Sequence, residues 1–283
     1  MTTKAPDPTT TGTIFASAEV VEQWRRGRRL RDEVYGPATE MMLDLANLRL
    51  GDRVLDVAAG TGDQTIMVAQ RVGPNGYVLA TDISVNMLNL AADAAREAGF
   101  TNVETCVIDA ENIDLEVDSF NAAVCRSSLM NFPNPAKALA GVYRVLKPIG
   151  KFAVTVFSTT EKNPYHGLPL SIVRRLGKMP SPAPGQPGMF ALSGQGVLED
   201  CYKKAGFVDV AVRAVPMRRF FPSIAEAVHA MKVSFPRLQD LLAKLSEADR
   251  ELAWNEIEQQ LRQFEGSNGL EIPGEWLIGV GTK

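Results

Sequence analysis

The chain is poor in the residues that do metal and redox work. Three cysteines, Cys106, Cys125 and Cys201, and two histidines, His166 and His229, are scattered through 283 residues. None has the short spacing of a zinc or iron–sulfur site, and radical chemistry is excluded because no C-x-x-x-C-x-x-C occurs. Sparse, odd-numbered thiols point to a reducing, cytoplasmic setting. Positive charge is not in excess: 30 lysines and arginines face 33 acids, for a net charge of −3. That balance gives no global field for nucleic acid or an acidic membrane. No apolar run reaches the ~20 residues of a membrane span. Residues 1–13, rich in threonine and proline, have no apolar segment of the signal-peptide type and are expected to form a disordered tail.

What the chain does have is organised around Val54-Leu55-Asp56-Val57-Ala58-Ala59-Gly60-Thr61-Gly62-Asp63-Gln64-Thr65. The apolar run Arg53–Ala58 is suited to a buried parallel strand. Two glycines turn it, and Thr65-Ile66-Met67-Val68-Ala69 opens a helix, the first half of a nucleotide-binding βαβ unit. Glycine lets the main chain take unusual angles and lie against a ligand. The dinucleotide fingerprint G-x-G-x-x-G lacks its third glycine here, where Thr65 stands. Asp56, four residues ahead of Gly60, would repel a pyrophosphate but suits a ligand carrying an ammonium or sulfonium.

Strands are expected at 77–82, 103–108, 119–126 and 151–157, with helices between them at 84–98 and 136–146. Such alternation with short joints means a doubly wound, Rossmann-like α/β sheet, whose ligands bind beyond the carboxyl ends of the strands. Asp56–Gly62, Asp82, Asp109 and Cys125–Ser127 all fall at those ends. Asp82 lies about 20 residues past the glycine loop, where a carboxylate accepts from both hydroxyls of a ribose. Residues 14–50 read as two helical segments broken at Gly36-Pro37. Trp24 with Arg25, Arg26, Arg28, Arg29 and Arg31 lies on the first, and the acids Glu22, Asp32 and Glu33 make that a solvated face rather than a nucleic-acid site. Beyond the proline-rich piece 179–188, a helix is expected over 196–205, a strand over 208–215 and a last strand over 275–281. Residues 224–264 are mostly helical, with Leu238, Leu241, Leu242 and Leu245 on one face.

These motifs together resemble class I S-adenosylmethionine-dependent methyltransferases, most closely their ubiquinone/menaquinone-biosynthesis-like branch. The resemblance rests on Val54–Asp63, on Ala80-Thr81-Asp82-Ile83-Ser84 with Met87, on Asp109-Ala110-Glu111, and on Tyr143-Arg144-Val145-Leu146-Lys147-Pro148. Ala58 stands in the first glycine slot of their acid-x-G-x-G-x-G motif, Asn121 replaces an aspartate and Ile149 a glycine. The resemblance implies a seven-stranded sheet with an antiparallel last strand. It divides the chain into N-terminal helices (14–50), a cofactor-binding core (51–157) and a remainder (158–283) with helical cap insertions at 158–192 and 224–265.

It also implies that S-adenosylmethionine is the cofactor. Asp56, Ala58, Gly60, Thr61 and Gly62 would hold its methionine portion, Asp82 its ribose, Ile83 and Met87 its adenine face, and Asp109 and Ala110 the adenine edge. Cys125, Arg126 and Ser127 would lie beside the methyl. The expected activity is O-, C- or N-methylation of a small, largely apolar acceptor, with a non-catalytic binder of the cofactor or of S-adenosylhomocysteine as the alternative. His166 and Arg126 are the catalytic candidates, with Tyr35 behind them. As a general base His166 competes with its reading as an exposed loop histidine, and His229 reads as a packing residue. Residues 158–276 are longer than in the quinone methyltransferases proper, so the substrate of those enzymes is not carried over.

Overall fold

The computed structural model describes residues 28–183 and 185–283. The tail over 1–13, Trp24 and the first two arginines of the cluster lie outside the described residues, as do the side chains of Arg28, Arg29 and Arg31. Five parallel strands form the first part of the sheet: β1 (Arg53–Val57), β2 (Tyr77–Asp82), β3 (Val103–Val107), β4 (Phe120–Arg126) and β5 (Leu146–Phe157). Then come β6 (Val208–Phe221), the short β7 (Glu265–Gly266) and β8 (Gly269–Thr282). The order is β3-β2-β1-β4-β5-β8-β6, with β8 antiparallel to both its neighbours and β7 hairpinned onto it. The seven main strands and the antiparallel last strand are as expected.

The order reverses beside β1, whose neighbours are β2 on one side and β4 on the other. In open α/β sheets such a reversal is where a crevice lies, at the carboxyl ends of the two strands. Val54, Leu55, Asp56 and Val57 are all buried, which requires helices on both faces of the sheet. These are α1 (Arg28–Leu45), α2 (Asp63–Val72), α3 (Val85–Glu97), α4 (Pro135–Val145), α5 (Pro164–Leu176) and α6 (Val197–Lys204). A further group, α7 (Ile224–Ser234), α8 (Pro236–Leu242) and α9 (Glu247–Leu261), packs with α5 around a second core that includes Met231, Leu238, Leu242, Ile257 and Leu261.

Two expectations are corrected. The helix of residues 28–45 is continuous, with Pro37 inside it, rather than broken at Gly36-Pro37. Proline removes one intrahelical hydrogen bond, but Ala38, Met42, Leu43 and Ala46 are buried on one face, and that packing carries the helix through. Strands β6 and β8 also run six residues further than expected, as a two-stranded ribbon pairing Pro216–Phe221 with Leu270–Glu275. Pro216 and Pro273 disguised this extension. Both sit where the ribbon has one unpaired edge: β6 ends the sheet, and β5 pairs β8 only from Trp276 onward. A missing N–H is tolerated on such an edge.

Candidate active site

The loop after β1 is built on left-handed backbone: φ is +54° at Ala58, +58° at Gly60 and +82° at Gly62. Its two glycines serve different ends. A Cβ on Gly62 would stand 2.8 Å from the Cα of Ala91 in α3, whereas one on Gly60 would meet nothing within 4 Å. Gly62 therefore permits close helix packing, and Gly60 faces open space at the mouth of the crevice. Asp82, at the end of β2, ties the loop in place: its Oδ2 accepts from the Gly60 N–H at 3.0 Å and its Oδ1 from the Ser84 N–H at 2.9 Å. Burial raises its pKa, against the pull of these backbone donors.

Asp56 lies beneath the loop and is fully buried. Its oxygens accept from Gln64 Nε2 and Thr65 Oγ1, both at 2.6 Å. Burial pushes its pKa up to about 7, although both donors and the positive charge of Arg126 favour the ionised form. This explains Thr65 in the third glycine slot: its hydroxyl is needed by Asp56. The sequence marks Thr65 only as a departure from the glycine fingerprint and does not mark Gln64; neither is among the expected site residues.

Arg126, at the end of β4, is also buried. Its Nη2 lies 3.2 Å from Asp63 Oδ2 and its Nη1 donates to Thr39 Oγ1 at 3.3 Å. The guanidinium thus joins β4 to the first residue of α2 and to α1. Thr61 is buried and donates to Asp63 Oδ1 at 3.2 Å. Cys125 is buried too, and desolvation pushes its thiol up to about 12, so it stays protonated. Ser127 takes a left-handed φ of +59° and donates its N–H to Thr155.

The outer candidates divide. Ile83 is exposed beside the crevice, with Val85 next to it, whereas Met87 is buried in the first turn of α3. Asp109 caps a short 3₁₀ turn that begins at Ala110, accepting from the Glu111 N–H and from Asn112 Nδ2. His166 is not an exposed loop residue. It lies buried in the first turn of α5, against Phe157, Tyr165 and Phe235. Burial, with Arg219 nearby, lowers its pKa well below the ordinary value, so it is neutral and a weak base. His229 is exposed rather than packed. Tyr35 lies on α1, its hydroxyl accepting from Arg219 Nη2 at 2.9 Å. Among the described residues no group of histidine, cysteine, aspartate and glutamate is arranged to hold a metal, and no helix is long and apolar enough to cross a membrane.

With this geometry in place, residues 48–179 match a family described as a methyltransferase domain. The ubiquinone/menaquinone biosynthesis C-methyltransferase UbiE of Methylococcus capsulatus is 40% identical over 117 residues, which cover 41% of this chain and 47% of that protein. The chain thus spans about half the length of the curated relatives it matches. Among solved structures, phosphoethanolamine N-methyltransferase 2 of Haemonchus contortus superposes with a TM-score of 0.60 at 18% identity, over 98% of this chain and 62% of that one. YcgJ of Bacillus subtilis does so at 0.56 and 21%, over 88% and 98%. These superpositions show a shared fold.

Proposed function

We propose that residues 48–179, which match a methyltransferase-domain family, form a class I S-adenosylmethionine-dependent methyltransferase domain, and that the chain transfers a methyl group from that cofactor to a small, largely apolar organic acceptor. One observation carries the reading: Gly60 presents bare, left-handed main chain to open space while its N–H is held by Asp82. A side chain would fill that space, and a ligand lying on the loop needs it empty.

The residues present fit the cofactor. Asp82 stands beside the loop at the end of β2, a carboxylate suited to a cationic ligand, while Asp63 is paired with Arg126 and burial raises the pKa of Asp56 to about 7. The Gly60–Gly62 main chain would take the methionine portion, with Asp56 acting from beneath through Gln64 and Thr65. Asp82, whose carboxylate accepts from the backbone of Gly60, Ser84 and Ile83, would turn its remaining acceptor capacity to the ribose. Ile83 would lie against the adenine, and Asp109 and Ala110 along its edge. Cys125, Arg126 and Ser127 would border the methyl end, where Arg126 orients the start of α2 through Asp63. When bound, the cofactor supplies an electrophilic methyl on a positive sulfonium, and the protein must align the acceptor and exclude water.

The name of the curated relatives makes a carbon acceptor the first to test. The three free thiols are consistent with the cytoplasm. Radiolabelled methyl transfer to a panel of phenols, quinols, amines and carboxylates tests the activity. Label in an extracted product supports it, whereas cofactor binding without transfer to any member would leave a chain that only holds the cofactor.

A further inference from the structure

A groove of about 540 Å³ opens among α7, α8 and α9, lined by Lys232, Gln239, Leu242, Ala243, Arg250 and Trp254. None of these six residues belongs to the sheet or to α1–α6, so the groove is built apart from the strand ends beside β1. It also lies outside residues 48–179, the segment that matches the methyltransferase family.

The charges in its lining are all of one sign. Helix α9 carries five acids, Glu247, Asp249, Glu251, Glu256 and Glu258, against a single basic residue, Arg250. The basic residue lines the groove and none of the five acids does. Trp254, four residues on, shares that face of the helix. Lys232 reaches in from the last turn of α7, its ammonium held 4.9 Å from the centroid of the Trp254 ring. Arg250 Nε donates to the Leu245 carbonyl at 3.2 Å, which fixes the stem and leaves the two terminal nitrogens for another partner. Among the described residues neither cation has a carboxylate within salt-bridge distance, whereas Glu256 of the same helix is paired with Arg175 of α5. Two cations lining one groove repel each other, and an anion placed between them turns that repulsion into attraction.

We propose that this groove is a second ligand site, separate from the methyl-transfer site, and that it takes a small aromatic carboxylate. Lys232 and Arg250 would hold the carboxylate, the guanidinium fork matching its two oxygens. The flat apolar body would lie along Leu242, Ala243 and the indole of Trp254. Gln239, whose amide donates to the Met231 carbonyl at 3.2 Å, is a fixed part of the wall. The lining chooses among anions. Half of it is apolar, so inorganic phosphate would leave Leu242, Ala243 and the indole uncovered. The volume suits one small organic molecule.

Calorimetric titration of the full chain with 1-naphthoate, its neutral analogue 1-naphthamide and inorganic phosphate, with and without saturating S-adenosylhomocysteine, tests this. The wild type should bind 1-naphthoate at least tenfold more tightly than either of the others, and less tightly as salt is raised. Lys232→Met and Arg250→Met should each weaken 1-naphthoate about fivefold, and the double variant should bind it no better than 1-naphthamide. Saturating S-adenosylhomocysteine should leave the affinity for 1-naphthoate unchanged. Equal binding of 1-naphthoate and 1-naphthamide by the wild type would overturn the proposal. So would wild-type affinity for 1-naphthoate in a folded variant, or its displacement by S-adenosylhomocysteine. Both side chains are exposed, so the variants should fold; should one fail, the other and the wild-type comparison decide.

Discussion

Gly60 and Gly62 stand two residues apart in the same loop with the same sign of φ, and substitution should affect them differently. Alanine at Gly62 pays for left-handed backbone and also drives a methyl into the main chain of α3. Gly62→Ala should cost well over the roughly 1–2 kcal/mol of a left-handed residue, read as a lower urea midpoint. Gly60→Ala has room for its methyl and should cost about 1 kcal/mol, yet lose about tenfold in S-adenosylhomocysteine affinity as the methyl occupies the ligand's place. Asp56 is the second test at this scale. Its pKa of about 7 is raised from 3.8, so the folded state holds the proton more tightly than the unfolded chain. The stability it contributes is therefore fully present below about pH 4 and is lost as the pH rises through about 7. Carbon-13 NMR of the Asp56 carboxyl should show a midpoint near 7, and Asp56→Asn should flatten the fall in unfolding free energy between those pH values.

Among the elements, α1 is tied to arginines on two different strands, through Thr39 to Arg126 on β4 and through Tyr35 to Arg219 on β6. Removing one partner of a buried pair leaves the other charge uncompensated, at a cost of about 3–5 kcal/mol. Arg126→Met should fall in that range by chemical denaturation, and adding Asp63→Asn should cost less than the sum of the two single changes. Most elements of the core were legible because their signals are local: a Ser84 cap, a Gly73 stop, an apolar run before two glycines. The proline-bearing ribbon was not, because its pairing partner is about fifty residues away. Even so, Val215, Met217, Arg219 and Phe221 alternate inward along β6, a period-two pattern that placed Arg219 on an inner face for a reader willing to pass Pro216.

At the scale of the molecule, the sheet carries one core and the helices packed with α5 another, and the two meet where α5 lies against β8. Asn163 fastens that junction by pairing with both the N–H and the C=O of Glu275, as a neighbouring strand would. The positions expected to hold the cofactor follow one another between Asp56 and Ser127, each at the end of a successive strand, which is why they could be read in order. The aromatic cluster of Tyr35, Phe157, His166 and Trp276 is instead assembled from residues far apart in the chain, and no spacing rule links them. The most direct test of the whole account is calorimetric titration of the full chain with S-adenosylhomocysteine, beside Asp82→Ala. A single site of about micromolar affinity is expected, weakened at least tenfold by the substitution. No heat of binding, or equal affinity in the two proteins, would contradict the placement of the cofactor at the end of β2.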